Sequence, residues 1–195
     1  MTVTGWHSRG YVPHWEAGDV PQSLTFRLHD SLPAEIRRAL EADVRDLPES
    51  RRAHERRARI EAALDRGHGA RFLAVPEVAD VVERALLCFD GARYRLHAWV
   101  VMPTHVHVVV TPSDRSLSEI VHSWKSYSAK AANRILGRRG SFWLQEYFDR
   151  VIRDDTHFRV AVEYVENNPV KAGLCASAEE WPWSSARWRA EDGPR

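Results

Sequence analysis

Apolar and polar residues follow a recognisable order along the chain. In "SLTFRLHD", Leu24, Phe26 and Leu28 alternate with Thr25, Arg27 and His29, the period of a half-buried strand. "SLPAEIRRALEADVRDL" follows at helical spacing, with Ser31 as the N-cap and Pro33 in the first turn, and Pro48 interrupts it. A second helix, "RRAHERRARIEAALDRG", ends at Gly67, and a third, "VPEVADVVERALLCFDG", ends at Gly91. "ARYRLHAWVVMP" and "THVHVVVTP" read as strands, and Pro103-Thr104 between them breaks ladder pairing, so the two form a hairpin. "SLSEIVHSWKSYSAKAANRILG" is a helix capped by Ser116 or Ser118 and closed by Gly137. "EYFDRVIRD" is a strand, and "DTHFRVAVEYVENN" is a helix stopped by Pro169. The opening "GWHSRGYVPHWEAGDVPQ" reads as irregular, and the tail "EEWPWSSARW" as a segment folded back on the body. The order β, α, α, α, β, β, α, β, α suits an α+β fold, a ferredoxin-like antiparallel sheet with helices packed against it.

Composition narrows this only slightly. A length of 195 residues fits a single domain, 1–195, and 44% apolar with 28% charged residues is ordinary for a globular protein. The net charge of +1 gives no global signal for nucleic acid. Cys88 and Cys175 lack zinc-site spacing, which suits a reducing compartment. Neither a membrane-length apolar run nor a signal-peptide pattern is present, so a cytoplasmic, membrane-free protein is expected.

Chemistry enters at "MPTHVHVVV". Side chains at i and i+2 of a strand share a face, so His105 and His107 project together, about 6–7 Å apart, while Val106 and Val108 point away. Such a pair can offer two ligands to one metal ion; it can equally be two polar residues on a solvent face. In "AVEYVENNPVKAG", Tyr164 and Asn168 stand four apart and share one face of a helix. They could approach the same ion, or serve as a core residue and a helix cap. Two imidazoles, an amide and a phenol together suggest transesterification of a phosphodiester, with a divalent ion compensating a nucleophile that is mostly neutral at pH 7. Imidazole is an unusual partner for hard Mg²⁺, and Mn²⁺ suits it better.

"AWVVMPTHVHVVVTP", "SWKSYSAKAANRILGRRGSFWLQEYFDRVIRD" and "YVENNPVKAG…WPWSSAR" together resemble the REP-associated tyrosine transposases, relatives of the single-tyrosine HUH-type insertion-sequence transposases. The resemblance covers about residues 9 to 188. It implies His105 and His107 on a central strand as metal ligands, Asn168 as the third ligand and Tyr164 as the nucleophile. It also implies Mg²⁺ or Mn²⁺, cleavage of single-stranded DNA beside a hairpin in REP-like repeats, and a 5′-phosphotyrosine. The insertion-sequence relatives are dimers, so a monomer or homodimer is expected. Tyr127 and Tyr147 compete for the nucleophile's role, but neither has an amide or carboxylate four residues on. Two other classes stay open: a catalytically inactive module that grips hairpin nucleic acid, and a metal-dependent nuclease that uses water.

Residues 115–153 hold eight basic and three acidic side chains on a chain of net charge +1. Lys125, Arg134, Arg138, Arg139, Arg150 and Arg153 are therefore candidate phosphate contacts, and Phe142 and Trp143 candidate stacking platforms for unpaired bases. The bland alternative is a solvated basic face above two core aromatics. The basic run "RRAHERRAR" reads as a solvated helix face that could also grip a hairpin stem. Trp124, Trp181 and Trp183 read as packing residues.

Overall fold

In the computed structural model, residues 5–8, 13–16 and 19–192 are described. A four-stranded antiparallel sheet is built from β3 (Gln22–Arg27), β4 (Tyr94–Val101), β5 (His105–Pro112) and β6 (Phe148–Val151), in the order β4-β5-β3-β6. β3 and β4 run the same way on either side of β5, and β5 and β6 do so on either side of β3. These are two interleaved split βαβ units, the ferredoxin-like arrangement that the element order predicts. Helices α1 (Ala34–Arg45), α2 (Glu49–Asp65) and α3 (Pro76–Leu87) join β3 to β4, and α4 (Leu117–Ile135) joins β5 to β6. After the sheet come α5 (Asp155–Glu166), the single turn α6 (Asn168–Lys171) and α7 (Ser185–Asp192). Among the described residues, no helix is long and apolar enough to cross a membrane.

The opening segment is not irregular throughout. β1 (Gly5–Ser8) and β2 (Pro13–Glu16) pair as an antiparallel ribbon, with Trp6 opposite Trp15. Gly and Pro obscured its alternation in the sequence; residues 1–4, 9–12 and 17–18 of that segment lie outside the described ones. The cap assigned to α1 also differs. Pro33 occupies the N-cap, while Ser31 is buried, donates to Leu28 O at 2.7 Å and receives Arg27 Nη1 at 2.9 Å. Ser116, by contrast, closes a full capping box with Glu119 at the start of α4.

The sheet is covered on both faces. On one, Leu24, Phe26, Val106, Val108, Leu96, Trp99 and Val101 pack beneath α3 and α4. Trp124 Nε1 donates to Tyr94 Oη (2.9 Å), Tyr94 Oη to Leu86 O (2.7 Å), and Trp143 Nε1 to Ser128 Oγ (2.9 Å), so this core leaves none of those polar tips unpaired. On the other face, Ala98, Val100 and Val109 meet Ala161 and Val165 of α5, and Ile60, Ala63 and Leu64 of α2 meet Leu32. β3 is therefore buried on both sides rather than half-buried, with Thr25 and Arg27 nearly as inaccessible as Leu24. The β4–β5 register slips between Leu96 and Ala98. This bulge turns Trp99 and Val101 onto the α3–α4 face and Ala98 and Val100 onto the other. The tail folds back as expected: Trp183 O accepts from Val101 N (2.9 Å) and Trp181 Nε1 donates to Val101 O (3.0 Å), covering the outer edge of β4.

Gly69 is fixed by close approach. A Cβ there would lie 2.3 Å from Asp30 O and 2.4 Å from Ser31 O, both backbone atoms. Ala70 N donates to Asp30 O at 2.8 Å, so this contact ties the end of α2 to the end of β3. Gly69→Ala is expected to lower unfolding stability by about 1–3 kcal/mol, the usual cost of overpacking, read as a lower urea midpoint at unchanged slope.

Candidate metal centre and tyrosine site

Pairing of β5 with β3 sets His105 opposite Arg27 and His107 opposite Thr25. Both imidazoles lie on the α2–α5 face, away from Val106 and Val108, as the alternation predicts. They are not on a solvent face: exposure is 0% for His105 and 2% for His107. Their rings stand nearly perpendicular, with centroids 4.6 Å apart and the Nε2 atoms 2.8 Å apart.

The threonines around them direct the ring protons. Thr104 Oγ1 donates to Leu64 O at 3.2 Å, so towards His105 Nδ1, 2.8 Å away, it must accept. His105 then carries its proton on Nδ1 and turns the Nε2 lone pair into the site. Thr25 Oγ1 lies 2.8 Å from His107 Nδ1 and can donate or accept, so His107 is free to hold its proton on either nitrogen. With both protons on Nδ1, two lone pairs converge. That is the arrangement in which a metal-ligating histidine gives its second nitrogen to a fixed partner.

Asp65, the last residue of α2, completes a group that can hold a cation. Donor atoms of Asp65, His105 and His107 all lie within 4.8 Å of one another. Asp65 Oδ1 is 3.7 Å from His105 Nε2 and has no hydrogen-bond partner, while Oδ2 is 3.6 Å from Lys171 Nζ. Asn168 is fully buried, and neither atom of its amide finds a partner. Buried polar atoms left unpaired are costly, so the donor set fits a divalent cation. A carboxylate beside two imidazoles also suits a harder ion better than imidazoles alone. Asp65 was not singled out in the sequence.

α5 and α6 bring in the phenol. The Tyr164 ring meets the His107 ring edge-on at 5.6 Å, and its hydroxyl donates to Glu61 Oε2 at 3.4 Å. Lys171 Nζ lies 5.3 Å from the ring centroid. Burial, then the Glu61 charge, pushes the phenol up to about 12, and the nearby Asn168 amide draws it partly back. Tyr164 and Asn168 do not share one uninterrupted helix. α5 ends at Glu166, Asn167 caps it, and Asn168 opens α6 with Pro169 in its first turn. Tyr127, exposed on α4, and Tyr147, packed against the core of the α3–α4 face, lie away from the imidazoles.

The expected DNA contacts separate. Phe142 (2% exposed) and Trp143 (7%) are core residues, stacked against Phe72 and edge-on to Phe26 respectively, so neither offers a face to a base. Lys125 Nζ is tied to Leu144 O and Gln145 O at 2.6 and 2.7 Å, and burial lowers its pKa to about 8. Arg138 lies over the Phe72 ring and 3.7 Å from Asp30. Arg134, Arg139, Arg150 and Arg153 are exposed. Arg134 lies on α4, behind the sheet as seen from the histidines, whereas Arg150 is on β6 beside the tyrosine. There a groove of about 310 Å³ is lined by His54, Arg57, Glu61, Arg150, His157 and Tyr164 among others. The basic run of α2 is not simply solvated: Arg56 and Arg59 pair with Glu41 and Asp43 of α1, and Arg57 with Glu61.

Residues 82–168 match the family model described as "Transposase IS200 like", a segment holding His105, His107, Tyr164 and Asn168 but not Asp65 or Glu61. The chain is 27% identical over 92 residues to the REP-associated tyrosine transposase of Escherichia coli (strain K12), a match covering 47% of this chain and 54% of that protein. It thus spans about half the length of that relative. Its fold is that of a REP-associated tyrosine transposase solved bound to a REP hairpin (TM-score 0.62, 18% identity, covering 95% of this chain and 87% of that one).

Burial holds both imidazoles neutral. His105 is lowered to about 3, by burial and then by the Arg27 charge, and His107 lies well below its ordinary value through burial and then the charge of His105. An unfolded imidazole takes up a proton near about 6.5. Between that value and about 3 the unfolded chain therefore binds more protons, and stability must fall as pH drops. Without added metal, the urea midpoint is expected to decline from pH 7 to 5.5, and less steeply in His105→Gln.

Proposed function

We propose that the chain is a metal-dependent single-strand DNA endonuclease and strand transferase. It would act on hairpin-forming repeat DNA through a covalent 5′-phosphotyrosine on Tyr164. The observation that carries this reading is the Tyr164 phenol set edge-on against His107, beside the converging donors of Asp65, His105 and His107.

His105, His107 and Asp65, with the Asn168 amide next to Tyr164, would hold Mg²⁺ or Mn²⁺. When bound, the ion supplies charge stabilisation to the scissile phosphate and its leaving oxygen. The chain's own residues do the rest. Thr104 fixes the His105 ring with its Nε2 lone pair inward, and Thr25 accepts from His107 Nδ1 when that lone pair also turns to the ion. The Tyr164 oxygen attacks phosphorus, the bond to the 3′-oxygen breaks, and a 3′-hydroxyl leaves while the 5′-phosphate stays on tyrosine. Because one phosphodiester replaces another, the strand can be rejoined without a nucleotide cofactor. The groove beside Tyr164, with Arg57, Arg150, His54 and His157, suits a single strand: it is open, cationic and reaches the nucleophile. Exposed Arg134, Arg139 and Arg153 supply further phosphate contacts.

Incubation with a REP-like hairpin oligonucleotide and Mn²⁺ should give a covalent adduct that survives denaturing electrophoresis. Tyr164→Phe should abolish it while leaving hairpin binding intact. Cleavage that persists in Tyr164→Phe would instead mark a water-using nuclease, and binding without cleavage an inactive module. Mn²⁺ affinity, followed by electron paramagnetic resonance, should be lost in His105→Ala and should fall about 10- to 100-fold in Thr104→Val, the usual cost of removing an outer-shell partner.

A further inference from the structure

Arg57, Glu61 and Asp65 stand at i, i+4 and i+8 of α2, on one side of the helix. Asp65 belongs to the metal donors. Glu61, one turn earlier, is the carboxylate that meets the Tyr164 hydroxyl, with Oε2 3.4 Å from the phenol oxygen. We propose that Glu61 is the general base that takes the Tyr164 proton as the phenol attacks phosphorus, and the general acid that returns it on rejoining. This rests on the reading of Tyr164 as the nucleophile.

The carboxylate is held for that task. Arg57 Nε donates to Glu61 Oε1 at 3.0 Å, which occupies one oxygen and leaves the other towards the phenol. The Glu61 side chain is only 17% exposed, so bulk water does not compete freely for Oε2. The 3.4 Å separation is long for a hydrogen bond, as catalytic contacts often are before substrate closes the site. Other bases near the phenol are engaged: the imidazoles with each other and with threonines, and Asp65 with Lys171 through Oδ2. Asn168 has no basic atom, and Lys171 is a cation beside Asp65.

The need for a base follows from the phenol itself. Even an ordinary phenol stays protonated near neutrality, so its attack on phosphorus calls for a proton acceptor within hydrogen-bond reach of its oxygen. In the forward step the O–H bond of Tyr164 breaks, its proton passes to Glu61 Oε2, and the oxygen bonds phosphorus. The P–O3′ bond breaks, and the departing 3′-oxygen takes a proton from solvent. In the reverse step the 3′-hydroxyl attacks phosphorus and gives its proton to solvent, the P–O bond to Tyr164 breaks, and protonated Glu61 returns a proton to the leaving phenolate. Atoms and charge balance without any oxidant or co-reactant.

The test is single-turnover adduct formation by the full chain with a REP-like hairpin oligonucleotide and Mn²⁺. Glu61→Gln keeps the shape but cannot take a proton, and should slow adduct formation by about 10²-fold or more at saturating hairpin, with Mn²⁺ affinity unchanged. Glu61→Ala should be equally slow and should regain rate on addition of formate, which fits the vacated space. Formate should not help Glu61→Gln, whose side chain still fills it. Adduct formation by Glu61→Gln within about threefold of the parent would overturn the role of Glu61 while leaving Tyr164 as the nucleophile. Failure of formate to rescue Glu61→Ala would do the same. No adduct with the parent chain would remove the tyrosine reading, and this proposal with it.

Discussion

Two imidazoles facing each other in the middle of a sheet, cut off from water, form an arrangement that must be supported from every side. Each ring nitrogen needs a partner, or the burial of His105 and His107 would cost more than their packing returns. The Nε2 atoms face each other, and the Nδ1 partners come from distant parts of the chain, Thr25 from β3 and Thr104 from the β4–β5 turn. The Thr104 hydroxyl accepts from its histidine because its own proton goes to the carbonyl of Leu64 at the end of α2. The Gly69 contact with β3, a few residues beyond, holds that helix end in place. The position of α2, the tight loop after it and the β3–β5 register can thus be understood as the framework of one polar pair.

The strand pair was legible in the sequence because alternation on a strand is a strict geometric rule. Knowing that Val106 and Val108 face one core fixes His105 and His107 on the opposite side. What alternation cannot show is whether that opposite side is wet, because this depends on a helix 40 residues earlier in the chain. Tyr164 and Asn168 were legible through their spacing and the resemblance they share, although the helix breaks between them. Asp65 and Glu61 were not. They lie in "RRAHERRARIEAALD", whose density of charge looks like solvated surface. A signal was present all the same: Arg57, Glu61 and Asp65 recur every fourth residue beside the buried Ile60, Ala63 and Leu64, so part of the charged stripe borders the core-facing one. Phe142 and Trp143 misled for the opposite reason. Aromatic residues next to a basic turn resemble a base-stacking platform, but the neighbouring glycines end α4 and return the chain to the core.

Basic side chains are divided by the sheet. Arg57, Arg150 and His157 border the groove at the tyrosine, whereas Arg134 lies on α4 against the other face. Under the proposed function, a duplex stem and the single strand leaving it differ in width and charge spacing, so two separated cationic surfaces would engage them independently. The low net charge of the chain does not oppose this, because phosphate contacts respond to local potential rather than to the total.

The bulge at His97 gives the chain something like a reading frame. Upstream of it, even-numbered positions of β4 face α3 and α4; downstream, odd-numbered ones do. Were the ladder to run straight through with all its residues and no bulge, everything up to Val101 would exchange faces, setting Trp99 on the side of the imidazoles and Ala98 in the main core. The extra residue thus lets two differently phased halves of one strand serve the same two cores.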